Sequence, residues 1–145
     1  MPLTVAELVR IENLTAAMPV RWGTAVPESR GGVYFIARTR DASAVADAVP
    51  APTTDPRCIA AWLPEEPVLY IGKATSLRKR LGQFYRHRYG EPSPHRGGQR
   101  LKLLAIMDEL WVHWAVCESP PRVEERLLRY FRQSIGRLPF ANIRN

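Results

Sequence analysis

Two short triplets place a tyrosine beside a glycine at the edge of an apolar, β-prone run. The first, Gly-Val-Tyr at 32–34, begins one run, and the second, Tyr-Ile-Gly at 70–72, ends another. Lys73 follows the second triplet directly, and Arg78, Lys79 and Arg80 come shortly after it. Because guanidinium and ammonium groups bind phosphate oxygens, a strand tyrosine followed by cations on the next helix could hold a phosphate.

A carboxylate lies inside the apolar face of the last predicted helix. At 100° per residue, Glu124 lies in the middle of that face and Glu125 lies outside it. Arg80 likewise lies on the shoulder of the apolar stripe of its own helix, where a bare charge is costly, so its partner is expected to be a carboxylate or a phosphate. Glu124 therefore needs a cation, either an arginine such as Arg80 or a metal ion; Mg²⁺ takes only one or two protein carboxylates.

Positive charge is concentrated in one region of the chain. The 145 residues carry a net charge of +7, but segment 73–102 alone holds nine cations and one anion, so the rest sums to −1. Such a region favours a polyanionic partner, with nucleic acid expected first and a solvated helix face as the alternative. The residues expected to contact nucleic acid, besides Lys73 and Arg80, are Arg78, Lys79, Arg86, His87, Arg88, His95, Arg96, Arg100 and Lys102.

The composition is that of an ordinary globular domain, with 46% hydrophobic and 24% charged residues. A chain of this length buries a core without disulfides and is expected to form one domain. No apolar run is long enough to span a membrane, and Glu7 interrupts the region where a signal peptide needs an apolar core. Cys58 and Cys117 lack metal-ligand spacing, so we expect free thiols and a cytoplasmic location.

Periodicity and turn residues predict an α+β domain with the order α-β-β-α-α-β-α. Both tyrosines could project from one side of the sheet, either as site residues or as core aromatics with satisfied hydroxyls. Residues 1–30 would form a helical extension, and the proline-punctuated residues 38–66 an insertion between the first two strands. The predicted helices cover 4–14, 75–87, 99–110 and 121–136, with a short one near 43–48, and the predicted strands cover 33–37, 67–72 and 111–117. Thr75 or Ser76 is expected to cap the second of these helices, and the prolines at 120–121 and Gly136 are expected to begin and end the last one.

Taken together, the motifs resemble the GIY-YIG nuclease superfamily, from about residue 31 to 145 apart from the insertion. The spacing of Tyr70, Lys73 and Arg80 is similar to that of the excision-repair nuclease domains of this superfamily. The motifs that carry the resemblance are Gly-Val-Tyr at 32–34, Tyr-Ile-Gly-Lys-Ala at 70–74, Leu-Arg-Lys-Arg-Leu at 77–81, Glu124 before Leu-Leu at 127–128, and Pro-Phe-Ala-Asn at 139–142.

The resemblance implies a small three-stranded antiparallel sheet flanked by helices, and a phosphodiesterase that uses one Mg²⁺ or Mn²⁺ ion. Tyr34 would be the general base or position the attacking water, and Tyr70 would orient that water or the scissile phosphate. Arg80 would bind the phosphate and stabilise the transition state, and Glu124 would hold the metal. Asn142 would tie the C-terminal segment to the site, near Glu124 or a backbone phosphate.

A tyrosine with a pKa near 10 is a poor base unless cations favour its phenolate, and Lys73 and Arg80 are the candidates for that role. Family members often carry Tyr or His four residues after the arginine. Here that residue is Phe84, so either Tyr85 or His87 replaces it or the role is absent.

The sequence thus predicts a metal-dependent endonuclease acting on DNA, with RNA as an open second substrate. The alternative is a catalytically inactive nucleic-acid-binding module of the same fold, which would bind in a salt-dependent way without cleavage. A module whose basic helix binds an acidic protein is a third interpretation. No membrane partner is expected.

Overall fold

An antiparallel sheet forms the centre of the molecule. The computed structural model describes residues 2–89 and 98–143. Within them the sheet has four strands in the order β1-β4-β2-β3, so that β3 is an edge strand. The strands are β1 (Val20–Arg21), β2 (Gly32–Ala37), β3 (Val68–Ala74) and β4 (Trp111–Val116), and every neighbouring pair is antiparallel.

Helices cover both faces of this sheet. One face packs against α1 and α4, and the other packs against α3 and the first of two 3-10 helices. All six residues of β2 are buried, because this strand is central and has a core on each side. In the described residues the helices are α1 (Val5–Ile11), α2 (Pro56–Ala61), α3 (Leu77–Arg86) and α4 (Pro120–Ile135), with 3-10 helices at Gln99–Leu103 and Met107–Glu109.

The ends of the two site helices follow local signals that the sequence contains. Ser76 precedes α3, and its hydroxyl accepts a hydrogen bond from the Lys79 amide, which confirms one of the two predicted caps. α4 begins at Pro120 and ends before Gly136, whose φ of 91° is easily reached only by a residue without a Cβ.

The α+β class is confirmed, but the predicted three-stranded sheet is one strand short. Val20 pairs with Val112 and Arg21 pairs with Trp111, which adds β1 beside β4. Two residues show no alternation of polar and apolar side chains, so this strand exists only because the chain passes beside β4. The other predicted strands are present, with β3 extended by two residues to Ala74.

Two predicted helices are wrong. The segment 99–110 forms two 3-10 helices interrupted at an extended Leu104, and the Ala105 amide donates to the carbonyl of Pro52 at 2.8 Å. This tertiary hydrogen bond replaces the bond that a continuous helix would make. Residues 43–48 are not helical; the helix of this region is α2, which begins at Pro56 and is capped by the Asp55 carboxylate.

The predicted insertion, residues 38–66, packs against the rest of the molecule. The Arg38 guanidinium donates to the carbonyl of Pro64 at 2.7 Å and to that of Asp47 at 3.0 Å, which holds the segment closed at its base. Trp62 is buried in the α3-side core, where its ring meets Phe140 edge-on at 5.3 Å. No helix in the described residues is long and apolar enough to cross a membrane.

Candidate functional site

The two triplet tyrosines meet on the face of the sheet that α3 covers. Their ring centroids are 6.0 Å apart, Tyr34 is fully buried, and 7% of Tyr70 is exposed. The prediction that both project from one side of the sheet is confirmed. Gly72 pairs opposite Tyr34, and a Cβ there would lie 2.5 Å from the Tyr34 hydroxyl oxygen. The glycine of the second triplet therefore makes room for the tyrosine of the first.

Arg80 joins this pair from α3. Its guanidinium and the Tyr70 hydroxyl both hydrogen-bond with the hydroxyl of Tyr34, and its charge also reaches Tyr70. The arginine on the shoulder of an apolar stripe is thus bound in part by phenols, a partner class that neither sequence alternative contained. We call Tyr34, Tyr70 and Arg80 the phenol–arginine cluster.

Burial stabilises the protonated form of both phenols. Loss of solvent raises the pKa of Tyr34 well above its usual value, and nearby Tyr70 adds to the rise, whereas Arg80 opposes it. Burial, with the charge of Glu124, raises the pKa of Tyr70 to about 12 against the pull of Arg80. Both hydroxyls therefore keep their protons at neutral pH. Arg80 favours the phenolate as expected, but desolvation outweighs it.

Glu124 lies at the same edge of the sheet, near the start of α4. Its Oε1 is 3.6 Å from Nζ of Lys73, the lysine that follows the second triplet. Glu124 is 16% exposed and Lys73 is 49% exposed, so both side chains reach solvent at this edge. Glu125 instead points outward and pairs with Arg129 at 3.1 Å, which confirms that helical geometry singles out Glu124.

The donor set at this edge suits magnesium better than zinc. Zinc needs three or four nitrogen or sulfur ligands, and the described residues contain no group of three or more His, Cys, Asp or Glu side chains placed to hold a metal. Mg²⁺ binds through one or two carboxylates and keeps several waters. Glu124, a partly exposed carboxylate beside a cleft, meets that requirement.

A basic cleft of about 330 Å³ opens beside the phenol–arginine cluster. Lys73, Lys79 and Arg80 supply its positive charge from β3 and α3. Sequence reasoning missed its polar members Thr75, Ser76 and Gln83, although Gln83 is three residues after Arg80 and thus on the same side of α3. The cleft offers both charge and neutral hydrogen-bonding groups to an anion. We call it the reaction cleft.

The structure assigns several of the other expected cations to local contacts. Arg78 donates to the carbonyl of Pro27 at 3.3 Å, and Lys102 donates to the carbonyls of Phe84 and His87 at the end of α3. Nδ1 of His87 hydrogen-bonds the Gln83 carbonyl oxygen at 3.0 Å. Arg86 and Arg88 are exposed. Arg100 lies away from the cleft, and His95 and Arg96 lie outside the described residues.

Neither Tyr85 nor His87 takes the position of Phe84. The Tyr85 ring packs against Trp22 at 5.0 Å, and its hydroxyl donates to the carbonyl oxygen of Thr24 at 2.9 Å. Phe84 itself is fully buried, and its ring meets Tyr70 at 5.6 Å and Tyr34 at 6.3 Å. It therefore supports the two phenols by packing and supplies no polar group.

Asn142 fastens the C-terminal segment to the edge strand. Its Nδ2 donates to the carbonyl oxygen of Ile71 at 2.9 Å, and its Oδ1 accepts from the amide of Ile71 at 3.0 Å. This side chain thus satisfies the outward backbone groups of the residue between Tyr70 and Gly72. It ties the C-terminal segment to the strand that carries the site. The resemblance implied a position near Glu124 or a backbone phosphate, whereas the observed partner is the backbone of Ile71.

Comparisons with models of protein families, with curated proteins and with solved structures gave no significant match for this chain.

Proposed function

We propose that the protein is a metal-dependent endonuclease that hydrolyses phosphodiester bonds in DNA. The observation that carries the proposal is the phenol–arginine cluster beside a basic cleft that Arg80 and Lys73 line, with Glu124 Oε1 3.6 Å from Lys73 Nζ. A structural aromatic core does not require a guanidinium, and a salt bridge does not require two phenols beside it. Hydrolysis of a phosphodiester uses all of these groups.

Phosphate binding is the role of the cations in the reaction cleft. Arg80 is held by its hydrogen bond with Tyr34, so its planar fork is oriented before the substrate arrives. Lys79 is exposed in the same cleft. A pentavalent transition state carries more negative charge on its oxygens than the ground state, so oriented cations stabilise it preferentially.

The protonated phenols act as hydrogen-bonding groups. Tyr70 is the more exposed of the two, so its hydroxyl orients the attacking water or a phosphate oxygen. Tyr34 is fully buried and positions both Tyr70 and Arg80. Because its pKa lies well above the usual value, we assign Tyr34 a positioning role and not that of the general base.

Glu124 is the residue that would hold one Mg²⁺ or Mn²⁺ ion. Such an ion, when bound, supplies charge neutralisation at the phosphate and activates water. Lys73, half exposed, pairs with Glu124 and also lines the reaction cleft. When a substrate enters the cleft, a phosphate can therefore replace the Glu124 carboxylate as the ion-pair partner of this ammonium.

The decisive experiment compares Glu124→Gln with its neighbour Glu125→Gln. Both changes remove one negative charge from the same turn of α4, but only Glu124 faces Lys73 at the cleft. We expect cleavage of supercoiled plasmid in Mg²⁺ or Mn²⁺ to fall at least about 100-fold in Glu124→Gln, as for other single groups that stabilise a transition state. The Glu125→Gln protein should cleave like the wild type.

The substrates in this assay should be supercoiled, linear, branched and single-stranded DNA, together with RNA. Equal cleavage by the wild type and Glu124→Gln would remove Glu124 from the mechanism. Salt-dependent binding without cleavage of any substrate in either metal would favour the inactive nucleic-acid-binding module. Absence of binding at moderate salt would favour an acidic protein partner.

A further inference from the structure

A second basic cavity lies at the end of α4, away from the reaction cleft. It has a volume of about 280 Å³, and three arginines line it: Arg100 from the first 3-10 helix, Arg132 from the last turn of α4, and Arg137 just after that helix. The remaining lining residues are Ala61, Gly136, Leu138, Pro139, Phe140 and Asn142. Among the residues that the structure describes, the lining contains no carboxylate. We call this cavity the arginine pocket.

Two of the three guanidiniums are held in place by backbone carbonyls. Arg100 donates to the carbonyl oxygen of Phe140 at 3.3 Å, and Arg137 donates to that of Ala60 at 2.8 Å. Each of these bonds uses one of the five N–H donors that a guanidinium carries. Both side chains are therefore oriented and still have donors for an oxyanion.

Arg132 supplies the third charge. Its side chain forms no hydrogen bond or ion pair with any residue in 2–89 or 98–143. The carboxylate nearest to it along α4 is Glu125, two turns earlier, and that group is already paired with Arg129. Three like charges at one cavity repel each other unless an anion or solvent lies between them.

A structural explanation for these arginines is the helix macrodipole, because cations near a helix C-terminus are favourable. The C-terminus carries about half a negative charge, however, and one cation is enough to complement it. The other two positive charges exceed that requirement. The excess, together with the lack of a carboxylate in the described lining, favours an external anion.

The arginine pocket and the reaction cleft share the edge of β3. Asn142 lines the pocket, and its amide binds both backbone groups of Ile71, the residue between Tyr70 and Gly72. Arg100 is two residues after Gly98, which packs closely against the Tyr70 and Phe84 rings. Both sites therefore adjoin β3, the cleft through Lys73 and Ala74 and the pocket through Asn142.

The separation of the two sites fits a nucleic-acid strand. Arg132 is eight residues after Glu124 on α4, which at 1.5 Å per residue is about 12 Å along the helix axis. Because a duplex advances about 3.4 Å per nucleotide along its axis and its phosphates also wind around that axis, this separation is that of phosphates a few nucleotides apart at most. We infer that the arginine pocket is a second phosphate-binding subsite, which holds the backbone of the same strand a few nucleotides or fewer from the scissile bond.

This inference rests on the proposed function for the identity of the strand, and its test uses binding without cleavage. Affinity for a fluorescent duplex of about 20 base pairs is measured in EDTA from about 50 to 200 mM salt, a range over which phosphate contacts weaken strongly. The variants are Arg132→Gln, Arg137→Gln and the double variant. Arg129→Gln is the matched control, because it removes a charge that is already paired on the same helix.

Each single change should weaken binding about 3- to 10-fold and lower the salt slope by about one, and the double change should lower the slope by about two. The Arg129→Gln slope should match the wild type. A duplex of about ten base pairs should show the same losses, because it is still long enough to span the cleft and the pocket.

The two proposals fail in different ways. Wild-type slopes in all the arginine variants, with cleavage intact, would overturn the subsite and leave the endonuclease standing. Reduced slopes in a protein that never cleaves would support the subsite and overturn the endonuclease. Chemical modification of Arg132 in the presence of inorganic phosphate or of the duplex distinguishes the remaining case. If phosphate protects Arg132 from modification and the duplex does not, the pocket binds a free anion and the inference is wrong.

Discussion

The two faces of the sheet are built from the same alternating strands but have different chemistry. On the α4 side, the buried residues are almost all aliphatic or phenylalanine, such as Val33, Phe35, Leu127 and Phe131. On the α3 side, the same strands present Tyr34 and Tyr70, and Arg80 hydrogen-bonds among them. The first face stabilises the fold through apolar burial, while the second gives up part of that stabilisation to hold polar groups in fixed positions.

Glu124 stands between these two environments. It belongs to the helix of the aliphatic face, yet its position at the rim of β3 lets its charge act on Tyr70 of the other face. The contrast between faces therefore predicts separable effects. Loss of a polar group on the α3 side should alter chemistry more than stability, and loss of apolar volume on the α4 side should do the reverse.

The largest expected effect on activity follows from Arg80→Met. This change keeps an apolar stem of similar length and removes the oriented guanidinium of the cluster. We expect cleavage in Mg²⁺ to fall about 100-fold, because loss of one oriented charge at a transition state costs on the order of 3 kcal/mol. The measurement is single-turnover cleavage, with urea unfolding to show that stability changes by less than about 1 kcal/mol.

The matched change on the other face is Leu127→Ala, since Leu127 is fully buried among aliphatic side chains. It should lower the free energy of unfolding by about 2–5 kcal/mol while the folded fraction keeps cleavage within about threefold. If Arg80→Met unfolded the protein and Leu127→Ala abolished cleavage in the folded state, the assignment of chemistry to the α3 side and of stability to the α4 side would be wrong.

A smaller effect should follow from Gly72→Ala. The added Cβ would lie 2.7 Å from Cε1 of the Tyr34 ring, closer than van der Waals contact allows, so the protein should lose about 1–3 kcal/mol of stability through overpacking. Chemical unfolding measures this loss. Gly82→Ala is the control, because its Cβ would meet only the flexible end of Arg86 at 3.3 Å within α3, and there alanine favours the helix.

Tyr34→Leu should restore room for that Cβ. The loss in free energy of unfolding for the double variant Gly72→Ala/Tyr34→Leu should therefore be smaller than the sum of the losses for the two single variants. Strict additivity would show that Gly72 is not required by the ring of Tyr34.

The smallest effect concerns pH. Because the pKa of Tyr70 rises from 10.0 to about 12 on folding, the folded state holds its proton more tightly than the unfolded state. The resulting stability is fully present below about pH 10 and is lost as the pH rises from about 10 to 12. Relative to Tyr70→Phe, the wild type should lose about 1 kcal/mol between about pH 9 and pH 11.

Stability at each pH is measured by urea unfolding of both proteins. Parallel pH profiles for wild type and Tyr70→Phe would contradict the raised pKa, whereas absorbance of the phenolate should show Tyr70 ionising well above the range of a solvated tyrosine.

Where the sequence predicted the structure correctly, the signal was local. The Ser76 cap, the proline start and glycine end of α4, and the orientation of Glu124 against Glu125 all depend on residues within a few positions of one another. The wrong predictions concern segments whose secondary structure depends on contacts with residues far away in the sequence. β1 needs β4 beside it, and the hydrogen bond from Ala105 to Pro52 competes with the helix predicted over 99–110.

The candidate site divides in the same way. Sequence patterns identify the residues proposed to carry the chemistry, since alternation places Tyr34 and Tyr70 on one face and helical periodicity turns Glu124 inward. The state of these groups depends on the folded molecule. Burial raises the pKa of both phenols, Arg80 hydrogen-bonds with Tyr34, and Glu124 pairs with Lys73. Each of these depends on which segments the fold brings together, because desolvation and charge pairing are set by the neighbours of a group.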